Sequence, residues 1–540
     1  MKTGLLFSAA SIAAVTMASF GAANAQGGAQ GGDGFLEKYR VETDDCRGCG
    51  PREFADVAEA RAYMELLDST AGALNNSGNG FFPHMLEQER RQTQVVFLDF
   101  DAGGLPTFPI CTSTGTLFGI FQDHVYTPAE RAEITARVQA DYDDFNYEIV
   151  SEEPAYGDYS TVRIGDNDAP FDCSQGSNIT LVGGFLSILF GQADGIDFLN
   201  RNRNDNAFAD ASLWEFVVQF DPSGGLFQAF SGIDVAGEFG GDLQAALNYA
   251  VINQTANTAA HEVGHIQGLR HQNSFGAPGD GLPSTGTPGP NDFVPVFDQG
   301  QNATETVWHT MGSGASVGLS LGDSSDRDRF FSERSAARLA INADGKIADE
   351  WRIRQNGGRY RINLDNIKVP NTIIVGENAG KKFDVDALVI KGDISVVGET
   401  DSYVFRGKRG EYLNAELISV IGEDLTFEEG IMGQLRLYMV DNRGNETLIA
   451  SNLQSFESLF DAEIFDAELP ENSFYRLEVS APDEFFPSDL TGDGVLDPQP
   501  LSTVGGAPEL LTGRYSLQVY TSKTKLKGYQ RKRDLEIASN

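Results

Sequence analysis

The chain has 540 residues, 22% of them charged, and a formal net charge of −38 at pH 7. A surface this acidic repels phosphate groups, so the composition argues against nucleic acids and anionic membranes as partners. The length exceeds what one hydrophobic core serves, and we expect about two to four domains.

The first 25 residues predict a cleaved secretory signal peptide. Lys2 gives a positive start, residues 5–20 form an apolar run, and Ala23-Asn24-Ala25 is a typical cleavage site. The run is too short to cross a bilayer, and no later stretch reaches about 18 apolar residues. We therefore expect a secreted, extracellular protein without a membrane span, with a retained N-terminal anchor as the alternative. A monomer is assumed.

The elements that follow alternate between helices and strands. A helix is predicted at 128–145, because Thr127-Pro128-Ala129-Glu130 offers an N-cap, a proline at the first helical position and an acid in the first turn. A long helix is predicted from Leu243 to Gln267, with apolar residues at helical spacing and Gly268 ending it. Further predicted elements are a helix at 54–67, strands at 95–100, 147–150, 160–164 and 214–219, a loop at 273–302 and a helix at 332–342.

From about residue 370 the chain changes character. Short apolar segments alternate with Gly, Asn and Asp turns, a rhythm typical of a β-sandwich. The predicted strands are 402–405, 434–439, 474–479 and 515–520. The segment 523–533 is basic and predicts a disordered tail.

Three of the six histidines lie within eleven residues, in His261-Glu262-Val263-Gly264-His265-Ile266-Gln267-Gly268-Leu269-Arg270-His271. Residues four apart on a helix share a face, so His261 and His265 can present both imidazoles to one ion. A turn at Gly268 then lets His271 return as the third ligand of a catalytic Zn²⁺, which takes three protein ligands and water. The alternatives are a surface helix with unrelated histidines and a structural zinc site, which has no use for Glu262.

The residue types also specify the chemistry. A zinc ion lowers the pKa of its bound water and polarises a scissile carbonyl. Glu262 accepts the proton of the water and passes it to the leaving amine, as a general base and then a general acid. Removing Glu262 should spare metal binding and abolish turnover.

This segment resembles the metzincin zinc-endopeptidase signature at every defining position. The resemblance implies a methionine turn below the zinc, for which Met311 in Val307–Gly314 is the candidate. The order of elements over residues 93–345 is similar to a metzincin catalytic domain, and Phe331-Ser332-Glu333-Arg334 is similar to the matrixin-like branch. Ser313 lies two residues after Met311, where astacins and serralysins have a tyrosine. His309 is a rival ligand.

Resemblance also gives residues 26–92 the role of a propeptide. Arg47-Gly48-Cys49-Gly50-Pro51 is similar to the Arg-Cys-Gly segment with which matrixins block their zinc, although a glycine separates the arginine from the cysteine. The thiolate of Cys49 or Cys46 would then occupy the water position on the zinc until the propeptide is cleaved near Arg90-Arg91. A Cys46–Cys49 disulfide is the alternative. A disulfide between Cys111 and Cys173 is expected from the even cysteine count of an exported chain.

The C-terminal region resembles the bacterial pre-peptidase C-terminal domain, through Asp401–Phe405, Leu435–Tyr438 and Tyr515–Val519. Such domains accompany secreted proteases and bind substrate, assist secretion or are trimmed away. Within it, the residues Asp489, Thr491, Asp493 and Asp497 have the spacing of half a calcium loop. Pro500 stands where the bidentate glutamate belongs, so a weak Ca²⁺ site and a plain acidic turn stay equally open.

Together these observations predict an α+β metzincin-like catalytic domain, with a mixed sheet, zinc helix, Met-turn and C-terminal helix, followed by an all-β sandwich. The expected function is a secreted zinc endopeptidase, made as a zymogen and acting on proteins or peptides. One alternative is a surface or matrix-binding protein with a degenerate metalloprotease domain, and the intact Glu262 argues against it. Another is a metal-dependent hydrolase of other substrates. The expected segments are the signal peptide (1–25), propeptide (26–92), catalytic domain (93–345), linker (346–380), β-sandwich (381–522) and basic tail (523–540).

Overall fold

A computed structural model gives the fold of the chain. It describes residues 93–101, 107–112, 114–165, 179–182, 185–188, 190–200, 202–270, 309–312, 329–356, 358–370, 382–419, 431, 433–452, 462–481, 484–488, 497–500, 511–524 and 526. The predicted signal peptide, propeptide, loop at 273–302 and most of the basic tail lie outside these residues.

The described residues between 94 and 344 form what we call the α/β unit, in which helices and strands alternate. Its strands are β1 Gln94–Asp99, β2 Thr107–Thr112, β3 Leu117–Gln122, β4 Tyr147–Val150, β5 Tyr159–Ile164, β6 Ile179–Val182, β7 Phe185–Ile188, β8 Gly191–Ala193 and β9 Asn206–Ala209. Its helices are α1 Pro128–Tyr142, α2 Ser212–Phe220, α3 Gly225–Ser231, α4 Val235–Glu238, α5 Leu243–His265 and α6 Glu333–Asp344.

Five strands of the α/β unit form a mixed sheet in the order β4-β1-β5-β9-β8. β1 pairs in parallel with β4 and β5, and β5 pairs in parallel with β9. β8 runs antiparallel to β9, with Gly191 opposite Ala209. The sheet therefore ends on one side in a short antiparallel strand. A second sheet has the order β3-β2-β6-β7.

The start of α1 confirms the predicted capping pattern. The Thr127 hydroxyl accepts a hydrogen bond from the Glu130 backbone, and the Glu130 carboxylate accepts one from the Thr127 backbone. The buried face of α1 packs against α5, where the Tyr142 hydroxyl donates to the Ala260 carbonyl at 2.8 Å. The cap and this face together fix α1 against the helix that carries the histidines.

The strand predicted at 214–219 is wrong, because this segment lies in α2. Its aromatic and β-branched residues favour a strand when taken alone. Leu213, Phe216 and Val217 are nevertheless buried at the spacing of one helical face. Burial of that face in the core overrides the local β preference.

The remaining strands form what we call the sheet pair, two six-stranded sheets over residues 347–522. The strands are β10 Ile347–Asp349, β11 Gln355–Asn356, β12 Arg359–Arg361, β13 Asp365–Val369, β14 Phe383–Ile394, β15 Thr400–Gly407, β16 Tyr412–Ser419, β17 Gln434–Val440, β18 Glu446–Asn452, β19 Glu463–Glu468, β20 Ser473–Ser480 and β23 Gly513–Ser522. β21 Glu484–Ser488 and β22 Asp497–Pro500 form a separate hairpin.

One sheet of the pair has the order β10-β14-β23-β16-β19 with β13 beside β14, and the other has the order β11-β12-β15-β20-β17-β18. Residues of both sheets share one apolar core, an arrangement compatible with a β-sandwich. The fold is therefore mixed α/β with mostly β sheets. Within the segment predicted as a linker, residues 347–369 contribute four strands to these sheets.

The sheet that contains β14 is covered on both faces. Leu388 and Ile390 lie in the core between the two sheets, whereas the alternate residues Ala387 and Val389 lie in the core of the α/β unit. Successive side chains of a strand point to opposite faces, so one strand serves two cores. The sheet pair is packed directly against the α/β unit.

No helix among the described residues is long and apolar enough to cross a membrane.

Candidate metal centre

His261 and His265 lie one turn apart in the last part of α5, and both are 0% exposed. The Nδ1 atom of His261 donates to the Thr310 carbonyl at 2.6 Å, and Nδ1 of His265 donates to the Leu269 carbonyl at 2.9 Å. A carbonyl can only accept, so these bonds place the proton of each neutral ring on Nδ1. Each ring then directs the lone pair of Nε2 away from its backbone partner.

The two Nε2 atoms face each other at 2.9 Å. Two lone pairs at this separation repel each other. A metal ion removes the repulsion without adding a proton. Nitrogens bound to one tetrahedral zinc at about 2.0–2.1 Å lie about 3.3 Å apart, close to the distance seen. The pair of imidazoles therefore fits a metal ion.

The backbone carbonyls complete this fit. Metal-binding histidines almost always donate their other ring nitrogen to a carbonyl or carboxylate, which fixes the tautomer and the orientation of the ring. Thr310 supplies this contact from outside the helix, and Leu269 supplies it from the turn that ends the helix. Neither role follows from the spacing of the histidines.

Met311 lies against α5 between the two histidines. It is fully buried, and a Cβ added at Gly264 would collide with its sulfur. The absence of a side chain at Gly264 thus allows the segment 309–312 to approach the helix closely. This approach brings the Thr310 carbonyl to His261. A glycine inside a helix between two candidate ligands was the available signal for this contact.

The end of α5 takes the form expected for Gly268. Its φ of 85° is left-handed, the Gly268 amide donates to the His265 carbonyl, and the Leu269 amide donates to the Gly264 carbonyl. These two bonds are a Schellman motif. A Cβ at Gly268 would lie 2.9 Å from the Phe198 Cα, so neighbouring backbone also requires glycine here. The chain turns sharply three residues before His271.

Glu262 is 0% exposed and lies beside the edge strand β8. A Cβ added at Gly191 would stand 2.5 Å from Oε1 of Glu262, and the same distance from a methyl carbon of Thr258. The backbone of β8 therefore passes directly along the carboxylate. Sequence reasoning missed Gly191, because its three-residue strand has no periodic signal.

Several predicted site residues lie outside the described residues. They are His271, Cys46, Cys49, Cys173, Asp489, Thr491 and Asp493. Asp497 begins β22, but its side chain is not among those described. Cys111 lies on β2 and is disulfide-bonded. The structure thus brings together His261, His265, Gly268 and Met311, with Glu262 alongside.

Within the described part of the chain, no group of three or more His, Cys, Asp or Glu side chains is placed to hold a metal. His309 is buried and its ring packs edge-on against Phe330, with centroids 5.5 Å apart. It does not join His261 and His265 as a third ligand. His271, the predicted third ligand, lies outside the described residues.

His124 lies apart from this site, between α1 and α2. Its Nδ1 atom is 2.9 Å from the Glu215 carboxylate and its Nε2 atom is 3.4 Å from that of Glu130. Burial alone would lower the pKa of His124, but the hydrogen bond to Glu215 and the two negative charges raise it overall. The ion pairs join two helices, which is a structural role.

No family model and no curated protein matches the chain. The pre-peptidase C-terminal domain of a Bacillus anthracis collagenase is similar to it at 18% identity, over 24% of this chain and 86% of that one, with a TM-score of 0.15. PliG of Aeromonas hydrophila, a periplasmic inhibitor of g-type lysozyme, is 11% identical over 25% and 84%, with a TM-score of 0.14. GEBA250068378 from Sulfurospirillum deleyianum is 9% identical over 25% and 96%, with a TM-score of 0.14. At these TM-scores the likenesses carry no argument about fold or function.

Proposed function

We propose that the chain is a zinc-dependent endopeptidase, with His261, His265 and His271 as ligands and Glu262 as general base. The observation that carries this proposal is the arrangement of the two buried imidazoles. Both Nδ1 atoms donate to backbone carbonyls, and both Nε2 atoms meet at 2.9 Å. A structural site would use this pair equally well, but the glutamate beside it indicates catalysis.

When bound, zinc polarises the scissile carbonyl and acidifies a water molecule. Glu262 takes the proton from that water and returns it to the leaving nitrogen, so one carboxylate serves both steps. The helix places Glu262 next to the first ligand, and β8 closes one side of its carboxylate. The Thr310 carbonyl holds the ring of His261, and Met311 packs against the helix at Gly264.

The position of β8 favours an extended peptide as the substrate. Among the described strands, β8 is the last of its sheet, and its backbone passes along Glu262. An extended peptide can add to the edge of a sheet through main-chain hydrogen bonds, with little dependence on its side chains. A peptide bound in this way would lay its carbonyls beside the general base. This favours a peptide over a small ester or amide as the substrate.

The order of elements supports the metzincin resemblance. A mixed sheet precedes the helix with the histidines, a buried methionine lies below that helix, and α6 closes the unit. His261, Glu262 and His265 are all 0% exposed in the full chain. We further propose synthesis as a zymogen blocked by Cys49 or Cys46, with a Cys46–Cys49 disulfide as the alternative; both cysteines lie outside the described residues.

A peptide-library digest tests the proposal. The secreted chain is incubated with the library alone, with a zinc chelator, and with chelator followed by added zinc. We expect cleavage that the chelator abolishes and zinc restores. Cleavage that persists in the chelator and also in Glu262→Ala would overturn the assignment. Mass spectrometry of the products reports the residues that flank the cleaved bonds.

A further inference from the structure

Six charged side chains are buried where the α/β unit meets the sheet pair. They form three ion pairs: Arg270–Glu463 at 2.9 Å, Arg334–Asp466 at 2.7 Å, and Arg338–Glu416 in closer contact. All three arginines belong to the α/β unit and all three acids belong to the sheet pair. A buried charge is tolerated only when it is paired, so each half of the molecule needs the other.

Without the arginines of the α/β unit, the sheet pair could not bury these acids. Glu416 on β16 stands directly opposite Glu463 on β19. Like charges directly across two strands destabilise a sheet. Here each carboxylate has its own guanidinium, Arg338 for Glu416 and Arg270 for Glu463. The α/β unit therefore supplies the cations that permit this register of β16 and β19.

Arg270 differs from the other two arginines in its position. It lies two residues after Gly268, in the turn that follows α5, and directly before His271. Its side chain is 4% exposed and that of Glu463 is 0% exposed. A guanidinium held this firmly fixes the backbone at residue 270, and so the point from which the chain continues to His271.

We propose that Glu463 of the sheet pair is a positioning residue for the metal centre and acts through Arg270. This inference rests on the proposed function, because it concerns the third ligand of the same site. The C-terminal sheets then help to position the metal centre. Trimming them away, as the resemblance to a pre-peptidase C-terminal domain would allow, would remove Glu463 and leave Arg270 without its ion pair, so zinc binding would weaken.

The test compares two neutralised acids on the same strand. Glu463→Gln disrupts the pair of Arg270, which directly precedes His271, and Asp466→Asn is the matched control, because its partner Arg334 lies on α6 and not in the turn after α5. The zinc dissociation constant is measured by chelator competition in the full-length chain. The visible spectrum of the Co²⁺-substituted protein reports the number and geometry of the ligands. Thermal unfolding is followed in parallel.

We expect Glu463→Gln to weaken zinc binding about 10- to 100-fold, as for other groups that orient a ligand, and to change the Co²⁺ spectrum. Asp466→Asn should lower the melting temperature and leave both metal readouts unchanged. If Glu463→Gln does not fold, Arg270→Met with Glu463→Leu replaces it, because apolar pairs of similar volume often restore the stability of a buried ion pair. This double variant should be folded and bind zinc weakly.

The outcomes separate the two proposals. A wild-type chain that binds zinc, with a folded Glu463→Gln or double variant that binds it equally tightly, would overturn the positioning role alone. An equal loss of zinc affinity in Asp466→Asn would also overturn it, since the effect would then be general. A wild-type chain that binds no zinc would overturn the proposed function and this inference together.

Discussion

At the scale of single residues, the metal centre depends on contacts that the motif does not contain. The spacing of His261, Glu262 and His265 predicts which side chains share the site, because it follows from helix geometry. The carbonyls that orient the rings come from Thr310 and Leu269. Thr310 is far from the histidines in sequence, so helix periodicity carries no information about it. Met311 was predicted only through resemblance.

The effect of Gly264→Ala on the free energy of unfolding tests whether Met311 packs against the helix. Replacing glycine by alanine inside a helix normally stabilises a protein by about 0.5–1 kcal/mol. Here the added Cβ would collide with the sulfur of Met311. We expect Gly264→Ala to lower the free energy of unfolding by about 1–3 kcal/mol, the usual cost of overpacking, and to weaken zinc binding.

Urea unfolding and chelator competition measure both effects of Gly264→Ala. Met311→Ala makes room for the new methyl group, so Gly264→Ala should cost less stability in the Met311→Ala background than in the wild-type chain. A stabilised Gly264→Ala protein would show that Met311 does not pack against the helix in solution.

At the scale of elements, local signals predict the beginnings of helices better than the pairing of strands. The cap at Thr127 was predicted because its residues are contiguous, and α1 begins at Pro128. The segment of α2 was predicted as a strand, because the core that buries its helical face is made by distant residues. Strands as short as β8 are defined by their neighbours, so sequence patterns cannot identify them.

Asp401 on β15 gives a prediction about pH. It is 3% exposed and accepts a hydrogen bond from the Tyr515 hydroxyl on β23 at 2.6 Å. Burial is the main cause that raises the pKa of Asp401 to about 7 from an ordinary 3.8, and the charges of Glu350 and Glu399 add to it. The folded state therefore keeps a proton that the unfolded state has lost between these two pH values.

The direction of the pH dependence follows from the linkage between proton binding and folding. Because the folded state binds more protons than the unfolded state, the contribution of Asp401 to stability is full below about pH 4 and is lost as pH rises through about 7. We expect Asp401→Asn to remove this part of the slope in urea unfolding experiments between pH 4 and 8. The control is Asp393→Asn, at an exposed position of β14, against which the change of slope in Asp401→Asn is measured. An unchanged slope in Asp401→Asn would contradict the assignment.

At the scale of the whole molecule, the α/β unit and the sheet pair share a core as well as three ion pairs. Val385 and Tyr520 of the sheet pair lie in the same apolar cluster as Leu339 and Phe331 of the α/β unit. The sequence predicted the sheets but gave no indication of this contact. Buried Arg and Glu residues look like solvated surface charges when only their types are known.

Such an interface predicts cooperative unfolding of the two parts. Calorimetry of the full-length chain should show one thermal transition for the α/β unit and the sheet pair together, because separating them exposes apolar surface and leaves buried charges unpaired. Asp466→Asn should shift this transition to lower temperature without splitting it. Two separate transitions in the wild-type chain would show that the parts are independent.

In the proposed mechanism, His261, His265 and His271 hold a zinc ion, and Glu262 takes the proton of the water bound to it. The most direct test measures zinc content and peptide cleavage side by side in the wild-type chain and in Glu262→Gln. The account predicts about one zinc ion per chain in both proteins. It predicts a fall in turnover of about 100- to 10,000-fold in the variant alone, the usual contribution of general acid–base catalysis. Equal turnover in the two proteins, or a wild-type chain without stoichiometric zinc, would contradict it.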